Sequence, residues 1–302
     1  MTILPDAIGA ALEAAAGKCG GRVERAGRGP WRLALANGRP FEVSAVVDAV
    51  GEWLQLDAPA GGGQDAGRLW DALVVNGRLA GAAKLALAAE GLRLRAEMTL
   101  HRGDVLAARI ASACCGFKDA LSALDGGPGA AARIDTGPEP PAADDLAAAC
   151  REAGWSVSER ANGLVAVDLE CARRFHQALL RPRGSGGALA AVELIRAAAL
   201  PAAGRAAIAA LLLAATARVR LARAAAEEEG GRVWARLEVA FESTADATDL
   251  DHGLSALAAA CSLAGDEARV LQHEGVAARY LALRNLSIRP GSSHAGFTKE
   301  QP

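Results

Sequence analysis

The sequence predicts an α+β protein in which one structural unit occurs twice. Segments with apolar residues at helical spacing are followed by segments that alternate apolar and polar residues, in the order helix, three strands, helix, two strands, helix. The same order begins again after residues 126–141, which are rich in proline and glycine and are predicted to form a linker. We therefore expect a tandem duplication with antiparallel sheets, folded as an intramolecular pseudo-dimer.

The composition is that of a globular protein without a basic surface. The chain has 302 residues, of which 51% are hydrophobic, so it can bury a large core. Its net charge is −2; residues 1–137 carry 15 basic and 15 acidic residues, and the remainder carries 18 and 20. Sequence-independent nucleic-acid binding depends on clustered basic side chains. A nucleic-acid partner is therefore disfavoured.

Several features favour a cytoplasmic location. The six cysteines lie in apolar or helical segments without Cys-x-x-Cys spacing, as expected for thiols in a reducing compartment. Asp6 and Glu13 precede any basic residue, which is unlike a signal peptide. The longest uncharged apolar run, residues 206–217, is shorter than the roughly 20 residues that a membrane-spanning helix needs. We expect no contact with a membrane.

The first unit, residues 1–125, is predicted to begin with a helix over residues 7–16, which is followed by strands. The strands alternate apolar and polar residues, and they are placed at residues 23, 31–35, 41–43 and 53–56. A middle helix over residues 66–75 presents Leu69, Trp70 and Leu73 on one face. A hairpin then leads to a closing helix over residues 106–124, and Arg93 and Arg95 lie on the polar face of the second hairpin strand.

The second unit, residues 142–286, matches the first at a constant separation of 134 residues over its early elements. The matched pairs are Leu12 and Leu146, Gly20 and Gly154, Val23 and Val157, Leu33 and Val167, Leu35 and Leu169, and Phe41 and Phe175.

Later matches have other separations and include Lys84 with Arg218 and Arg95 with Arg236. The second hairpin is predicted to contain a long loop over residues 224–231, and residues 287–302 are predicted to be a flexible tail.

The middle helix of the second unit, residues 206–217, is apolar on all sides and needs cover on more than one side. One small sheet covers only one side, so its predicted second neighbour is the first middle helix. The predicted intramolecular interface consists of Leu69, Trp70, Leu73, Leu211 and Leu212.

Motifs for catalysis or cofactor binding are not found in the sequence. None of the five histidines has metal-ligand spacing, the glycine loop at residues 61–67 lacks the ending of a phosphate-binding loop, and there is no Gly-x-Ser-x-Gly. We therefore expect no catalytic residue, no cofactor and no metal site. An enzyme of unknown type is the least favoured interpretation, to be revived by a strongly shifted carboxylate or histidine in a deep pocket.

The run Leu73-Val74-Val75-Asn76-Gly77-Arg78-Leu79-Ala80-Gly81, the hairpin that follows it and the closing helix resemble the type III secretion chaperone-like superfamily, which includes the class I secretion chaperones and the YbjN-like proteins. The resemblance implies small α+β domains that pair through the middle helix and bind extended segments of partner proteins along the sheet and first helix. This chain departs from the family in carrying two copies, and its second middle helix has no clear equivalent of Asn76 or of the Leu79-Ala80-Gly81 turn.

These observations predict a non-enzymatic module that holds an extended segment of a client protein. Trp234 and Arg236 lie on one face of a strand whose apolar residues lie on the other face, so we expect the face with Trp234 to be exposed to solvent. The predicted partner-binding residues are Trp234, Arg236, Arg93 and Arg95. The alternative is a structural or regulatory subunit of a larger protein assembly.

Overall fold

The computed structural model of the chain describes residues 5–25, 30–36, 40–47, 52–60, 65–79, 81–100, 105–126, 143–160, 164–171, 174–183, 187–229, 232–243 and 245–288. Within these ranges the chain forms seven helices and two antiparallel six-stranded sheets. The α+β class is therefore as predicted. No helix in the described ranges is both long enough and apolar enough to cross a membrane.

The first half of the chain, residues 5–126, forms one sheet with the strand order β1-β2-β3-β4-β6-β5. Its elements are α1 (Pro5–Lys18), β1 (Arg22–Arg25), β2 (Trp31–Ala36), β3 (Pro40–Val47), β4 (Trp53–Pro59), α2 (Ala66–Arg78), β5 (Ala83–Ala88), β6 (Gly91–Thr99) and α3 (Leu106–Gly126). Helices α1 and α3 pack together on the face that carries Leu33, Leu54 and Leu94. This face forms the core of the first half.

The second half, residues 143–288, has the same order of elements and the strand order β7-β8-β9-β10-β12-β11. Its elements are α4 (Ala143–Glu152), β7 (Val157–Arg160), β8 (Leu164–Cys171), β9 (Arg174–Pro182), β10 (Ala188–Arg196), α5 (Ala202–Arg218), β11 (Arg223–Glu229), β12 (Arg232–Phe241), α6 (Ala247–Val270) and α7 (Glu274–Leu283). Helix α6 covers the core face of this sheet. Helix α7 is additional, since no helix follows α3 at the corresponding place in the described residues.

Each half has four strands before its middle helix, so the predicted order with three strands was wrong, although the four positions at which strands were expected in the first unit, including residue 23, all lie in strands. The additional strands are the four-residue β1 and β7, each of which holds a single apolar residue, Val23 or Val157. One apolar residue cannot establish an alternating pattern. The register is nevertheless the same in both halves, because Val23 pairs with Leu33 and Val157 pairs with Val167.

The constant separation of 134 residues does not continue into the third strand of the second half. Phe41 lies opposite Leu35, whereas the residue opposite Leu169 is His176 and not Phe175. The pairing of β8 with β9 is therefore shifted by one residue relative to that of β2 with β3. A shift of one residue moves a side chain to the other face of a strand, and Phe175 accordingly lies 77% exposed.

The loop predicted over residues 224–231 is mostly a strand. β11 pairs with β12 along its whole length, from Arg223 opposite Glu238 to Glu229 opposite Arg232. Alanine and glutamate have low strand propensity, but burial against neighbours overrides this preference, and Ala224, Ala225 and Ala226 are buried. Our match of Lys84 with Arg218 was also wrong.

Arg218 is the last residue of α5, so it does not lie in a strand. By strand pairing the counterpart of Lys84 is Ala225, because Lys84 lies opposite Arg95 and Ala225 lies opposite Arg236.

The predicted linker and tail lie almost wholly outside the described residues. Helix α3 extends to Gly126, and residues 127–141 of the linker are not among those described. Of the predicted tail, Ser287 and Ile288 are described. The carbonyl of Ser287 accepts a hydrogen bond of 3.0 Å from the backbone N–H of Ala66, at the start of α2.

The middle helices join the two halves. Helix α2 packs against α5, and each of them packs more extensively on the edge strand of the other half than on that of its own: α2 on β11 and α5 on β5. The closest approach is at Gly77, where an added Cβ would lie 2.7 Å from the carbonyl oxygen of Ala226.

Replacing Gly77 with alanine is therefore expected to destabilise the protein, by about 1–3 kcal/mol, because the new methyl group meets backbone that cannot move aside. Gly17 is the matched control. Both glycines are the penultimate residue of their helix, and nothing lies within 4 Å of a Cβ at Gly17. Gly17→Ala is expected to stabilise by up to about 1 kcal/mol. Urea unfolding measures both, and equal effects would contradict the close packing of α2 on β11.

Candidate binding site

A buried ion pair lies at the junction of the two halves. The Lys84 ammonium is 2.6 Å from a carboxylate oxygen of Glu97, and both side chains are less than one tenth exposed. Lys84 Nζ also donates hydrogen bonds of 2.8–3.1 Å to the backbone carbonyls of Thr216, Val219 and Ala222. These carbonyls belong to the second half, so Lys84 of the first half joins the two.

The end of α5 explains why a cation is required there. The last carbonyls of a helix have no partner within the helix and carry the negative end of its dipole. Lys84 supplies donors to them, while Arg95 donates to the carbonyl of Ala217. Burial lowers the pKa of Lys84, and the carboxylate of Glu97 opposes that shift. Glu97 also accepts a hydrogen bond from the backbone N–H of Leu221, which has a positive φ of 63°.

A second buried cluster of charges joins the second half to backbone carbonyls of the first. Arg223 and Arg236 of the second half both donate to the carboxylate of Glu238, and all three side chains are at most 5% exposed. Arg223 Nη1 also donates to the carbonyls of Gly81 and Ala83 in the first half, at 3.1 and 3.2 Å. Burial alone would raise the pKa of Glu238, but the two guanidinium groups outweigh it and hold the pKa below its usual value.

Asn76 joins the facing edges of the two sheets. Its side-chain oxygen accepts from the N–H of Leu85 in β5, and its Nδ2 donates to the carbonyl of Leu85 and to the carbonyl of Ala224 in β11. The side chain is fully buried. Its two donor contacts and one acceptor contact remove the cost that an unpaired buried amide would carry.

Beside this junction lies a cleft of about 910 Å³, which we call the arginine cleft. It is bounded by the turn between β5 and β6, by the C-terminal half of α5 and by α7 with the residues that follow it. Its lining is about half apolar, and we call the apolar part, which includes Leu87, Ala214 and Leu286, the floor. The volume lies within the range of about 300–1,000 Å³ that is usual for binding pockets.

Three arginines line the arginine cleft. Arg95 is held in place by Asp57, with its Nε 2.9 Å from the carboxylate. Arg284 lies over the ring of Tyr280, 5.3 Å from the ring centroid. Arg218 and Arg284 are exposed and, among the described residues, neither forms an ion pair with a carboxylate. The acid that lines the cleft, Glu90, is 3.4 Å from Arg93.

The structure does not bring the four predicted partner-binding residues together. Arg95 lines the arginine cleft, and Arg93 lies next to it, paired with Asp57 and Glu90. Arg236 and Trp234 lie on the other sheet. The expectation of an open face at Arg236 was wrong, because Glu227 and Glu238 bind its guanidinium group and only 5% of the side chain is exposed. Trp234 is half-buried.

Arg218, Arg284 and Tyr280 were not among the predicted site residues. A signal was available for two of them, because Tyr280 and Arg284 are four residues apart and therefore share a helix face. No pattern in the sequence indicates that α7 lies against α5.

The predicted interface residues lie on the two helices that meet. Leu69 and Leu73 on α2 are fully buried, and so is Leu212 on α5, with Leu211 only 5% exposed. Trp70 is half-buried, with the guanidinium carbon of Arg205 at 6.0 Å from its ring centroid. This contact connects α2 of the first half to α5 of the second.

A smaller cavity of about 70 Å³ lies between α3, β12 and α6. Glu242 and the ion pair of Arg109 with Asp249 line it, and burial raises the pKa of Glu242. The volume suits a few water molecules and is well below that of a substrate pocket. Among the described residues no group of three or more His, Cys, Asp or Glu side chains could hold a metal ion.

Removing the buried ammonium is expected to be costly. Lys84→Met leaves Glu97 buried without its cation and should lower the free energy of unfolding by about 3–5 kcal/mol. The double variant Lys84→Met, Glu97→Gln should regain part of this loss, as measured by a double-mutant cycle in urea. Arg22→Met is the control, because its ion pair with Glu24 is mostly exposed and should contribute less than about 0.5 kcal/mol. A loss no larger than that of the control would contradict the role of Lys84.

Stability should also depend on the ionisation of Glu238. A carboxyl group whose pKa is lower in the folded than in the unfolded state contributes stability above its unfolded pKa and loses it as the pH falls. As the pH falls below 4.5, the ordinary pKa of a glutamate, the contribution of Glu238 to stability should fall by up to about 1.4 kcal/mol per pH unit until the folded pKa is reached. Glu238→Gln should be less stable and have a shallower slope in unfolding measured against pH. An unchanged slope would mean that the carboxylate is not held ionised.

In comparisons with known proteins, no family model, no curated protein and no solved structure matches this chain. The binding chemistry of the chain is therefore inferred from the placement, burial and charge of its own residues.

Proposed function

We propose that this chain is a non-enzymatic protein-binding module that holds a segment of a client protein in the arginine cleft. The cleft itself carries the proposal, since it combines a suitable volume, an apolar floor and three arginines in its lining.

Strand addition is a weaker route, because the free sheet edges are poor templates. The outer edge strands β1 and β7 have four residues each, and most of these are charged or polar, which blunts an edge. The other two edge strands, β5 and β11, face each other at Asn76.

We further propose that the two halves are copies of one unit, paired as an intramolecular pseudo-dimer and related to the type III secretion chaperone-like superfamily. Two-fold related surfaces make reciprocal contacts. In support, each middle helix packs on the edge strand of the other half, and the cations of Lys84 and Arg223 each reach carbonyls of the other half.

A reducing cytoplasm is the proposed location. The thiols of Cys19 and Cys115 lie 3.5 Å apart and share a hydrogen bond, not a disulfide, and burial raises the pKa of Cys114 to about 12, which keeps that thiol protonated and unreactive.

Client binding can be tested with a pair of substitutions on neighbouring helices. Ala214→Trp fills the arginine cleft, whereas Ala278→Trp adds the same side chain to an exposed position of α7 that does not line it. Purification from native cells should recover proteins with the wild type and with Ala278→Trp that are lost with Ala214→Trp. If no protein shows this pattern while both variants remain folded, the proposed function is wrong.

The alternative, a fixed subunit of a larger assembly, is favoured by apolar side chains exposed on the last two helices. Val270 on α6 is 52% exposed, and Leu283 on α7 is 77% exposed. Such side chains are typical of protein interfaces when they form a patch. In this case a partner should co-purify at fixed stoichiometry in high salt, Leu283→Glu should release it, and Ala214→Trp should not.

A further inference from the structure

We propose that the client segment carries an acidic residue next to apolar residues, and that its carboxylate binds between Arg218 and Arg284 of the arginine cleft. The inference rests on the proposed function and adds the chemistry of the partner.

The three arginines of the cleft differ in whether a carboxylate neutralises them. Arg95 is already engaged, because Asp57 and the carbonyl of Ala217 bind its guanidinium group. Arg218 and Arg284 have no carboxylate partner among the residues that the structure describes. Glu90 lies beside Arg93 on the outer turn. The cleft therefore presents two uncompensated positive charges to any occupant, which favours an anion.

The position of Arg284 is defined by its neighbours. Its guanidinium lies over the Tyr280 ring, and its backbone N–H bonds to the carbonyls of Tyr280 and Leu281 at the end of α7. Arg218 is the last residue of α5 and lines the same cleft. A planar guanidinium can bind a carboxylate with two parallel hydrogen bonds, which gives direction as well as charge.

The apolar floor selects for the rest of the segment. Leu87 lies at the end of β5, Ala214 on α5 and Leu286 beyond α7, so the floor joins three separate elements. An acidic side chain alone would leave this floor exposed to water. A segment with an apolar residue beside its acid covers the floor and pairs the cations together.

Selection from random linear peptides displayed on phage tests the inference. The bait is the full chain, compared with the double variant Arg218→Gln, Arg284→Gln, and with Arg279→Gln as control, an exposed arginine of α7 that does not line the cleft. The wild type and the control should select peptides with Asp or Glu beside Leu, Ile, Val or Phe.

A selected peptide should bind the double variant about tenfold more weakly, and should weaken for the wild type when NaCl rises from about 50 to about 300 mM. Because both substituted arginines are exposed, the double variant should keep the melting temperature of the wild type.

Three other outcomes bear on this inference and on the proposed function. Apolar peptides without an acidic preference, bound equally by the double variant but lost with Ala214→Trp, would overturn the carboxylate and leave the client cleft standing. If no peptide is selected, or if Ala214→Trp changes nothing, both proposals fail. If peptides bind only after the chain is cut behind Ile288, the occupant is the chain's own last segment and the client assignment is wrong.

Discussion

The junction of the two halves depends on one buried ammonium group. Taking a charge out of water costs several kcal/mol, so Lys84 is tolerated only because Glu97 and three backbone carbonyls surround it. The carbonyls of Thr216 and Val219 lie at the end of α5, where the last carbonyls of a helix have no partner within it, and the carbonyl of Ala222 lies just before β11. A side chain from the hairpin of the first half thereby caps the C-terminal end of a helix in the second half. Glu97 extends the dependence, because it also holds the N–H of Leu221 at the turn that leads into β11.

The two halves solve the same packing problem with different residues. At the end of α2, Asn76 bridges the edges of both sheets, whereas the residue two positions before the end of α5 is Thr216, whose hydroxyl bonds back to the carbonyl of Leu212 in its own helix. A threonine hydroxyl is too short and offers too few donors to reproduce the amide bridge. The strand position of Lys84 is taken by Ala225, and the resulting space lets α2 approach β11 through Gly77.

Much of the fold follows from local patterns, and most of the site does not. Helical spacing and period-two alternation predicted the α+β class, the middle helices and the first hairpin, because burial on one face leaves a periodic trace. The pattern did not predict β11, where alanines are buried by pairing with β12, and it left β1 out of the predicted order of three strands, because one apolar residue gives no period. Arg236 was expected to be exposed because strand alternation shows which face of a strand a side chain lies on, but not which other side chains pack on that face. The arginine cleft joins residues more than 180 positions apart in sequence, Arg95 and Arg284, so no local pattern reports it.

The two halves also differ in the surroundings of the arginine that lines the cleft. Arg95 and Arg236 occupy corresponding register positions, opposite Lys84 and Ala225. Arg236 is held by two carboxylates inside the junction, whereas Arg95 is held by one and reaches the cleft. Helix α7, which supplies Tyr280 and Arg284, packs on α5 alone of the two middle helices. The surroundings of Arg95 are therefore not repeated around Arg236, and we expect the arginine cleft to hold one client segment.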